Sequence, residues 1–356
     1  MEKLKLAIIG QGRSGRDIHG SFLKSEHNDM FEVTAVVELD AERRQRALEE
    51  YPGCRVYEDY RELFTKEKVD VVVNATYSDE HYAITKDLLM HKFNVLVEKP
   101  MARTYYECSD LIRTAKENGV VLAVFQQSMM ASFYVEMKKI LATGKIGEIK
   151  QVSIRYSGLS RRWDWQTLQS KVGGSTYNTG PHPIIMGLDF LDFDKDTKVA
   201  FSRLDRALVS GDADDYAKII LTAPGKPVID IEINSTDAYS DYKFKVQGSK
   251  GTYQTGARSY KMKYIPDGAN PERPVIKEFL KKEDGLPAYC SEKLVTCEEE
   301  GKLGGFGFDV SSKAFYTSLY NTLTTGAPLA VTPEQAAQVI SIIETVHAQN
   351  PMPVEY

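Results

Sequence analysis

The sequence predicts an α/β protein. An N-terminal Rossmann domain, which is a doubly wound parallel sheet, precedes a C-terminal α+β domain with a largely antiparallel open sheet. Three observations lead to this fold class. The 356 residues suit about two domains. Apolar β-branched runs alternate with helical segments as far as residue 125. Later strands alternate apolar and polar residues, as in an antiparallel sheet with one wet face. We therefore expect domains over residues 1–125 and 126–356.

The first 125 residues hold five short apolar runs without alternation, which predict parallel strands buried on both faces. The predicted strands cover residues 4–9, 33–37, 69–75, 94–97 and 120–125. Four helices are predicted between these strands. Two cover residues 14–25 and 41–51, a third follows Ser78, and a fourth begins at Thr104. Thr104 and Glu107 have the spacing of a capping box, in which hydroxyl and carboxylate satisfy the free amides of a first helical turn. Strands that alternate with helices favour right-handed crossovers in one sheet.

The pattern changes after residue 125. A helix is predicted over residues 132–143, and two late helices over 311–324 and 333–348. The predicted strands cover residues 149–157, 199–208, 216–222, 228–235 and 243–247. The last helix has Thr332 as its cap, Pro333 in its first turn and Gln335 at its third position. The stretch 257–304 is rich in Pro, Gly and charge, so we expect an irregular excursion there.

Composition excludes several classes of function. The net charge is −5, which gives no support for a nucleic-acid or anionic-membrane partner, because both need concentrated positive charge. No apolar run reaches the roughly 18 residues that span a bilayer. The N-terminus, from Met1 and Glu2 onwards, has no signal-peptide core. The four cysteines form no C-x-x-C pair, so we expect reduced thiols, no metal site and a cytoplasmic protein.

A glycine-rich motif, Gly-Gln-Gly-Arg-Ser-Gly, follows the first strand and opens the first helix. Such a motif is weak evidence alone, because it also occurs as a plain glycine-rich turn. In a strand–helix context Gly10 permits the tight turn, Gly12 lets the backbone approach a pyrophosphate, and Gly15 allows close helix–strand packing. The helix N-terminus supplies amides for phosphates. The nucleotide-binding residues predicted here are Gly10, Gly12, Arg13, Ser14 and Gly15.

Glu38 ends the second strand and follows Gly15 by 23 residues, close to the expected spacing of about 20. A carboxylate there accepts hydrogen bonds from ribose hydroxyls and repels a 2′-phosphate, so we expect NAD rather than NADP. Arg43 and Arg44 stand against this preference, because either side chain could turn toward a phosphate. The alternative is that both arginines belong to a solvated first helical turn.

Two charged residues, Glu98 and Lys99, directly follow the fourth buried strand and precede Pro100. The carboxyl ends of strands line the ligand crevice in sheets of this kind. Lys99 can hydrogen-bond a substrate hydroxyl or take its proton, and burial would lower its pKa toward that use. The alternative is a structural pair on the surface.

A second candidate is the segment around Asn178 and His182, which are four residues apart and share a face if a helix starts here. Histidine titrates near neutrality and suits general-base work. A lone histidine is more often structural, so this alternative stays open.

Taken together, these motifs resemble the glucose–fructose oxidoreductase / inositol dehydrogenase / rhizopine-catabolism family (Gfo/Idh/MocA). The resemblance covers nearly the whole chain, and the Glu-Lys-Pro tripeptide in this position is quite specific. The matching positions are the glycine motif followed by His19, residues 76–81, Glu98 to Pro100, Gly173 and Gly174 with Gly180 and His182, residues 144–149, residues 248–252, and residues 326–328 with Thr332.

The resemblance implies a two-domain NAD(P)-dependent dehydrogenase that oxidises a secondary hydroxyl of a sugar, cyclitol or related polyol. The first domain would bind the dinucleotide, and the second would form the substrate pocket and an oligomer interface. By this resemblance Lys99 orients or deprotonates the hydroxyl, and His182 is the paired acid/base. Thr76, His81 and Glu98 would join the cofactor site, and His19 would lie close to both cofactor and pocket.

The sequence departs from the family pattern at positions that matter for the substrate. Asn178 stands where the family usually has Asp; since an amide cannot take a proton, the base must be His182 or Lys99. Ile185 replaces a usual acidic residue. The segment 126–131, often arginine-rich in the family, begins Gln126, Gln127, Ser128. The missing arginines argue against an anionic substrate and for a neutral sugar.

Both tryptophans, Trp163 and Trp165, fall in a loop before the Gly-Gly pair. Indole faces pack against the C–H face of a sugar ring, and Asp164 with Arg161 or Arg162 would fix hydroxyls. The alternative is a loop anchored by buried indoles. We predict that the substrate contacts are Gln126, Trp163, Trp165, Asn178 and His182.

The sequence therefore predicts an NAD-dependent oxidoreductase for a neutral sugar or glycoside, with the 3-hydroxyl of a glucoside as the favoured position. One alternative cleaves or transfers a glycoside by transient oxidation with bound, self-regenerating NAD. Another is an inositol dehydrogenase, and a third is a non-enzymatic dinucleotide sensor. We expect a homo-oligomer, either a dimer or a tetramer.

Overall fold

The computed structural model describes residues 3–256, 258–304 and 308–356. Met1 and Glu2, named in the sequence analysis, and Ala257, which opens the predicted excursion, lie outside the described residues. The strands of these described residues form two sheets, one of six strands and one of eight. No described helix combines the length and the apolar character that a bilayer span requires.

The first sheet contains six parallel strands in the order β3-β2-β1-β4-β5-β6, as a doubly wound fold requires. Its strands are β1 (Leu4–Ile9), β2 (Phe31–Val37), β3 (Arg55–Tyr57), β4 (Val71–Asn74), β5 (Val95–Val97) and β6 (Leu122–Val124). Its helices are α1 (Gly20–Leu23), α2 (Ala41–Glu50), α3 (Leu63–Lys66), α4 (His81–Met90) and α5 (Tyr105–Asn118). The first helix begins as a π-helical segment, Arg13–His19, before α1. The capping box predicted at Thr104 and Glu107 is present.

The second sheet has eight strands in the order β14-β13-β12-β11-β7-β10-β9-β8, and only the β7–β10 pair is parallel in the described chain. Its strands are β7 (Ile149–Ser157), β8 (Lys198–Asp205), β9 (Tyr216–Thr222), β10 (Val228–Asn234), β11 (Phe244–Gly248), β12 (Gly251–Thr255), β13 (Ser259–Tyr264) and β14 (Cys297–Lys302). The helices of this half are α6 (Ser132–Leu141), α7 (Ser175–Asn178), α8 (Pro181–Phe190), α9 (Phe308–Thr325) and α10 (Pro333–Gln349). Alternate residues of β9 and β10 are buried, as the period-two pattern predicts.

The predicted excursion over 257–304 is partly wrong, because β13 and β14 lie within it and extend the sheet. β14 carries Glu298, Glu299 and Glu300 in succession and is an edge strand. Pairing through the backbone needs no apolar side chains on a solvent-exposed edge, so no hydrophobic pattern marks it.

The late helix α9 packs against the first sheet rather than the second. Phe315, Tyr316 and Leu319 join Leu6 and Ile8 of β1 in one buried cluster. The opposite face of β1 belongs to a core that continues into the second sheet. The two halves of the chain therefore share both faces of the first sheet, and the division at residue 125 stays a prediction about domains.

Candidate functional site

The turn after β1 needs glycine at two positions for purely structural reasons. Gly10 has a φ of +92°, and a Cβ there would lie 2.6 Å from the carbonyl oxygen of Ala75. A Cβ on Gly15 would lie 1.9 Å from the carbonyl oxygen of Gly10. Gly12 is different, because a Cβ there would meet nothing within 4 Å and its φ is −73°. The open space over Gly12 fits the close approach of a dinucleotide phosphate to the backbone.

Glu38 lies beside this turn and is 9% exposed. Its Oε2 accepts a hydrogen bond from the Gln11 amide at 2.7 Å, and its Oε1 accepts one from the Asp40 amide at 3.0 Å. Two amides thus fix the carboxylate next to the glycine turn, where a ribose would reach it. The side chain of Gln11 is also buried.

The two arginines that follow Glu38 differ in their contacts. Arg44 Nη1 donates to the carbonyl oxygens of Glu38 and Leu39 at 2.6 and 2.7 Å, so its guanidinium is held by the backbone. Arg43 Nη1 lies 3.7 Å from Glu38 Oε2, and its side chain is 43% exposed. Arg43 is therefore the arginine better placed to turn toward a phosphate. Arg13 and Ser14, also predicted to bind the cofactor, open the helix after Gly12, and Arg13 is exposed.

A hydrogen-bonded loop follows β4. The buried Asn74 Oδ1 accepts from the Thr76 hydroxyl at 2.8 Å, and Asn74 Nδ2 donates to Thr85 Oγ1 at 3.0 Å. The ring nitrogens of His81 face the carbonyl oxygens of Pro100 (2.7 Å) and Thr76 (3.2 Å). His81 thus ties the Thr76 loop to the segment that follows Lys99, so it would act on a cofactor through that loop. Burial lowers the pKa of His81, which favours the neutral ring.

Glu98 lies at the end of β5 inside a buried chain of titratable groups. Its Oε1 lies 3.2 Å from His19 Nε2, and the other ring nitrogen of His19 lies 2.7 Å from the Tyr316 hydroxyl. Burial alone would raise the pKa of Glu98, yet the His19 contact and nearby positive charge hold it at about 2. Glu98 is therefore ionised. Tyr316, at the far end of this chain of contacts, belongs to helix α9. The sequence predicted His19 near the site but gave no indication of Tyr316.

Lys99 reaches across from the first half of the chain to the second. Its Nζ donates a hydrogen bond to the backbone carbonyl oxygen of Asn178 at 2.9 Å. Burial lowers the pKa of Lys99, Glu98 opposes that change, and the charges of Arg13 and Arg162 reinforce it. The amine is thus shifted toward the neutral form that a proton acceptor needs.

His182 lies close enough to Lys99 for the ammonium charge to affect it. Burial, with that charge, lowers the pKa of His182 to about 3. Its Nδ1 lies 3.0 Å from Ser128 Oγ, a contact that the sequence analysis missed. In the sequence, Ser128 was noted only because it stands in a segment where the family often has arginines. Nothing in the sequence links it to His182. The imidazole is neutral over the physiological range, so it suits hydrogen bonding better than proton abstraction.

Asn178 and His182 do not share one helix, as the four-residue spacing suggested. Asn178 ends α7, and His182 belongs to α8, which starts after Gly180. A Cβ on Gly180 would lie 2.1 Å from the carbonyl oxygen of Thr176, so glycine allows the two helices to meet tightly. The Asn178 side chain accepts a hydrogen bond from Gln166 Nε2 at 3.1 Å.

A cavity of about 500 Å³ lies beside Asn178, under the tryptophan loop. Trp165 is half-buried and packs edge-on against Tyr77 with 5.0 Å between ring centroids, which supports its reading as a loop anchor. Trp163 is 83% exposed at the cavity wall. The lining carries charges of both signs; its charged members are Arg161, Arg162, Asp164, Asp214 and Asp215.

Gln126 and Gln127 are buried after β6, and the Oε1 atoms of both have no hydrogen-bond partner in the described chain. Buried polar atoms are normally paired, so each is an acceptor available to a ligand or a water molecule. Among the residues that the structure describes, no cluster of His, Cys, Asp and Glu could hold a metal ion.

Comparison with known proteins gives matches over most of the chain. Residues 4–126 match the Gfo/Idh/MocA model described as an oxidoreductase family with an NAD-binding Rossmann fold. Residues 134–254 match the Gfo/Idh/MocA C-terminal domain. Inositol 2-dehydrogenase of Salmonella agona (strain SL483) is 30% identical over 254 residues, which cover 70% of this chain and 72% of that protein.

The names of two further relatives give two different activities. The scyllo-inositol 2-dehydrogenase (NADP(+)) IolW of Bacillus subtilis (strain 168) is 23% identical and covers 97% of this chain and 93% of its own length. The 2,7-anhydro-N-acetylneuraminate hydratase of Mediterraneibacter gnavus is 26% identical, covering 70% of this chain and 67% of its own. Among solved structures, the oxidoreductase yvaA of Bacillus subtilis superposes with a TM-score of 0.79 at 19% identity, covering 98% of this chain and 95% of that one. That likeness shows the fold alone.

Proposed function

Because the chain belongs to the Gfo/Idh/MocA family of NAD(P)-dependent oxidoreductases, we propose that it oxidises a secondary hydroxyl of a neutral sugar or glycoside with NAD. The favoured position is the 3-hydroxyl of a glucoside. One observation carries the proposal: Lys99, at the carboxyl edge of the first sheet, donates to the carbonyl of Asn178 at the wall of the second-domain cavity. The amine that would act on a hydroxyl thus lies where the nucleotide half meets the cavity.

The residues of this chain divide the work as follows. Bound NAD supplies the acceptor for the hydride of the carbinol carbon. Lys99 takes the hydroxyl proton, because burial favours its neutral amine. His182 stays neutral and hydrogen-bonds the same hydroxyl, with Ser128 engaging Nδ1 and leaving Nε2 for the substrate. Asn178 sets the direction of the Lys99 amine through its carbonyl oxygen.

Cofactor choice follows from Glu38. Its carboxylate would accept hydrogen bonds from the ribose hydroxyls and repel a 2′-phosphate, which supports NAD over NADP as the cofactor. Arg43 lies 3.7 Å from that carboxylate and is the side chain that would favour NADP. The first-domain cofactor residues of the proposal are Gly10, Gly12, Arg13, Ser14, Gly15, Glu38, Thr76, His81, Glu98 and Lys99.

Substrate class rests on two features, the uncharged residues after β6 and the wall of the cavity. After β6, Gln126 and Gln127 offer amide oxygens in place of the arginines that would bind an anion. At the cavity wall, the exposed indole of Trp163 gives a flat apolar surface for a sugar ring. Asn178, which also lines the cavity, and His182 are the second-domain residues that would contact the carbinol. Trp165 would act by holding the loop that carries Trp163.

Two alternative functions are each supported by a relative. The inositol 2-dehydrogenase among its relatives supports a cyclitol as substrate. The hydratase supports transient oxidation with self-regenerating NAD, because adding water to a substrate involves no net redox change.

We further propose a homo-oligomer, either a dimer or a tetramer, working in the cytoplasm. The four cysteines are free in the structure, as thiols are in a reducing compartment.

A substrate screen tests the proposal. Purified enzyme is incubated with NAD and a panel of neutral sugars, glycosides and inositols, and NADH is followed by its absorbance while products are analysed by mass spectrometry. NADH formation with a glucoside supports the proposal, and NADH with inositols alone selects the cyclitol reading. A cleaved or hydrated product without NADH selects the transient-oxidation reading.

A further inference from the structure

A long projection leaves the edge of the second sheet between β13 and β14. We call residues 266–296 the arm; within the described chain they contain no helix and no named strand, only one isolated bridge between Lys281 and Pro287. Connections longer than about 12–15 residues without regular structure are uncommon in compact domains and usually have a function.

The arm is nevertheless ordered by contacts between its two limbs. At its base, Asn270 Nδ2 donates to the Val295 carbonyl at 3.1 Å and Asn270 Oδ1 accepts from the Val295 amide at 2.8 Å. Farther out, Arg273 pairs with both carboxylate oxygens of Glu292. Near the tip, the Ala288 amide donates to the Leu280 carbonyl at 2.9 Å. The two limbs are therefore held together along their length by hydrogen bonds and an ion pair, and do not form an open loop.

Large apolar side chains cover the arm and face solvent. Phe279 is 100% exposed, Tyr289 91% and Val275 86%. Three more apolar side chains of the arm are 49% to 57% exposed: Ile276, Leu286 and Val295. Large exposed apolar side chains gathered on one segment mark interaction surfaces in folded proteins.

The exposed area suits a stable protein interface. Phe279 and Tyr289 together offer roughly 300–500 Å² of surface at about 150–250 Å² for each aromatic ring. A standard interface buries about 800 Å² on each partner, so the aromatic pair supplies about half of that. Val275, Ile276 and Leu286 add to it.

The charges of the arm fit a second copy of itself. The arm carries five basic and six acidic residues, so little net charge opposes self-association. Lys281 and Lys282 stand directly before Glu283 and Asp284 at the tip. In an interface with twofold symmetry the same patch meets itself, and the lysines of one tip would face the carboxylates of the other.

We propose that the arm packs against a second copy of this chain and that two arms exchange about a twofold axis. This inference deepens the proposed homo-oligomer by naming the surface that builds it. It is tested by assembly alone, so it stands or falls independently of the substrate and the cofactor.

The test compares the mass of the wild-type chain with that of two arm variants by light scattering and by sedimentation over a range of concentrations. In the first variant Phe279→Asp and Tyr289→Asp charge the apolar surface. In the second, a Gly-Gly link joins Asn270 to Val295, which are hydrogen-bonded across the base of the arm. The matched control is Val354→Asp with Tyr356→Asp, two exposed apolar side chains outside the arm. Circular dichroism verifies that each variant is folded.

We expect a wild-type dimer or larger assembly, an unchanged control, and a dissociation constant raised at least about tenfold in both arm variants. A monomeric wild type at micromolar concentration would overturn the proposal, as would folded arm variants that assemble like the wild type. A monomeric chain whose arm captures a different protein would overturn it in favour of a hetero-partner.

Discussion

The Lys99 amine donates a 2.9 Å hydrogen bond to the backbone carbonyl of Asn178, linking the end of β5 to the end of α7. The position that usually holds Asp in the family thus contributes here through its main chain. Its side-chain amide is engaged by Gln166 instead. Because a carbonyl oxygen cannot take a proton, the two remaining candidates for the base are Lys99 and His182, and the pKa of His182, about 3, favours Lys99.

Two glycine substitutions separate nucleotide binding from folding. Gly12→Ala should fold normally, because its Cβ meets nothing within 4 Å and its φ of −73° suits alanine, yet the methyl group should obstruct a phosphate. We expect the NAD dissociation constant to rise about tenfold or more with an unchanged melting temperature. Gly15→Ala should instead destabilise the fold, since its Cβ would lie 1.9 Å from the Gly10 carbonyl. Calorimetry and thermal melts check both; wild-type NAD affinity in Gly12→Ala would contradict the assignment.

Glu38→Ser should change the cofactor preference. The wild-type protein should bind NAD more tightly than NADP, and removal of the carboxylate should weaken NAD binding by roughly 10–100-fold, the value of hydrogen bonds to a charged group. NADP binding should weaken less or improve, because the repulsion is gone. Titration of both cofactors measures this, with Glu42→Ser on the solvent side of α2 as the control. Tighter binding of NADP by the wild type would refute the preference for NAD.

Asp214→Asn should flatten the pH dependence of stability. Burial raises the pKa of Asp214 from 3.8 to about 6. The folded state therefore favours the protonated acid, and its contribution is complete below the unfolded pKa and lost as pH rises through about 6. The free energy of unfolding should fall by roughly 1 kcal/mol between pH 5 and 8 from this group, and the variant should lack that fall. Urea unfolding at both pH values measures it. Equal slopes in wild type and variant would contradict the cause, and the exposed Asp29→Asn, outside both the site and the arm, provides the control.

Most of the fold could be predicted from the sequence because the buried strands are apolar and regularly spaced. β1, β7 and β9 begin and end where the patterns indicated. The edge strand β14 could not be found, since its pairing is through the backbone and its side chains are charged. The packing of α9 on the first sheet was also invisible, because an amphipathic pattern identifies a buried face but not its partner.

The candidate site divides in the same way. Gly10, Gly15 and Glu98 follow from local motifs, because a tight turn and a strand end constrain the residue type. Contacts between distant parts of the chain, such as His19 with Tyr316 and His182 with Ser128, depend on tertiary packing. No spacing in the sequence encodes them. The prediction that Asn178 and His182 share a helix failed because the chain restarts its helix at Gly180.

The pH dependence of oxidation should show which group takes the proton. A base works unprotonated, so kcat/KM for the oxidation should rise with pH. Its midpoint should lie below the ordinary lysine pKa of about 10.4, because burial lowers the pKa of Lys99. His182→Ala should lower the rate and keep this midpoint. Loss of the rising limb in His182→Ala, with a midpoint near 6.5 in the wild type, would identify His182 as the base.

The most direct test of the account measures Lys99→Met with the best substrate from the screen, against Lys116→Met on the exposed face of α5 as the matched control. Removal of a positioned base costs typically 10²–10⁴-fold, so NADH formation should fall by about that factor. NAD binding, measured by calorimetry, should change far less than the rate, because the glycine turn and Glu38 still hold the cofactor, and the control should behave as the wild type. A Lys99→Met enzyme that oxidises its substrate at the wild-type rate would contradict the central claim that Lys99 acts on the hydroxyl.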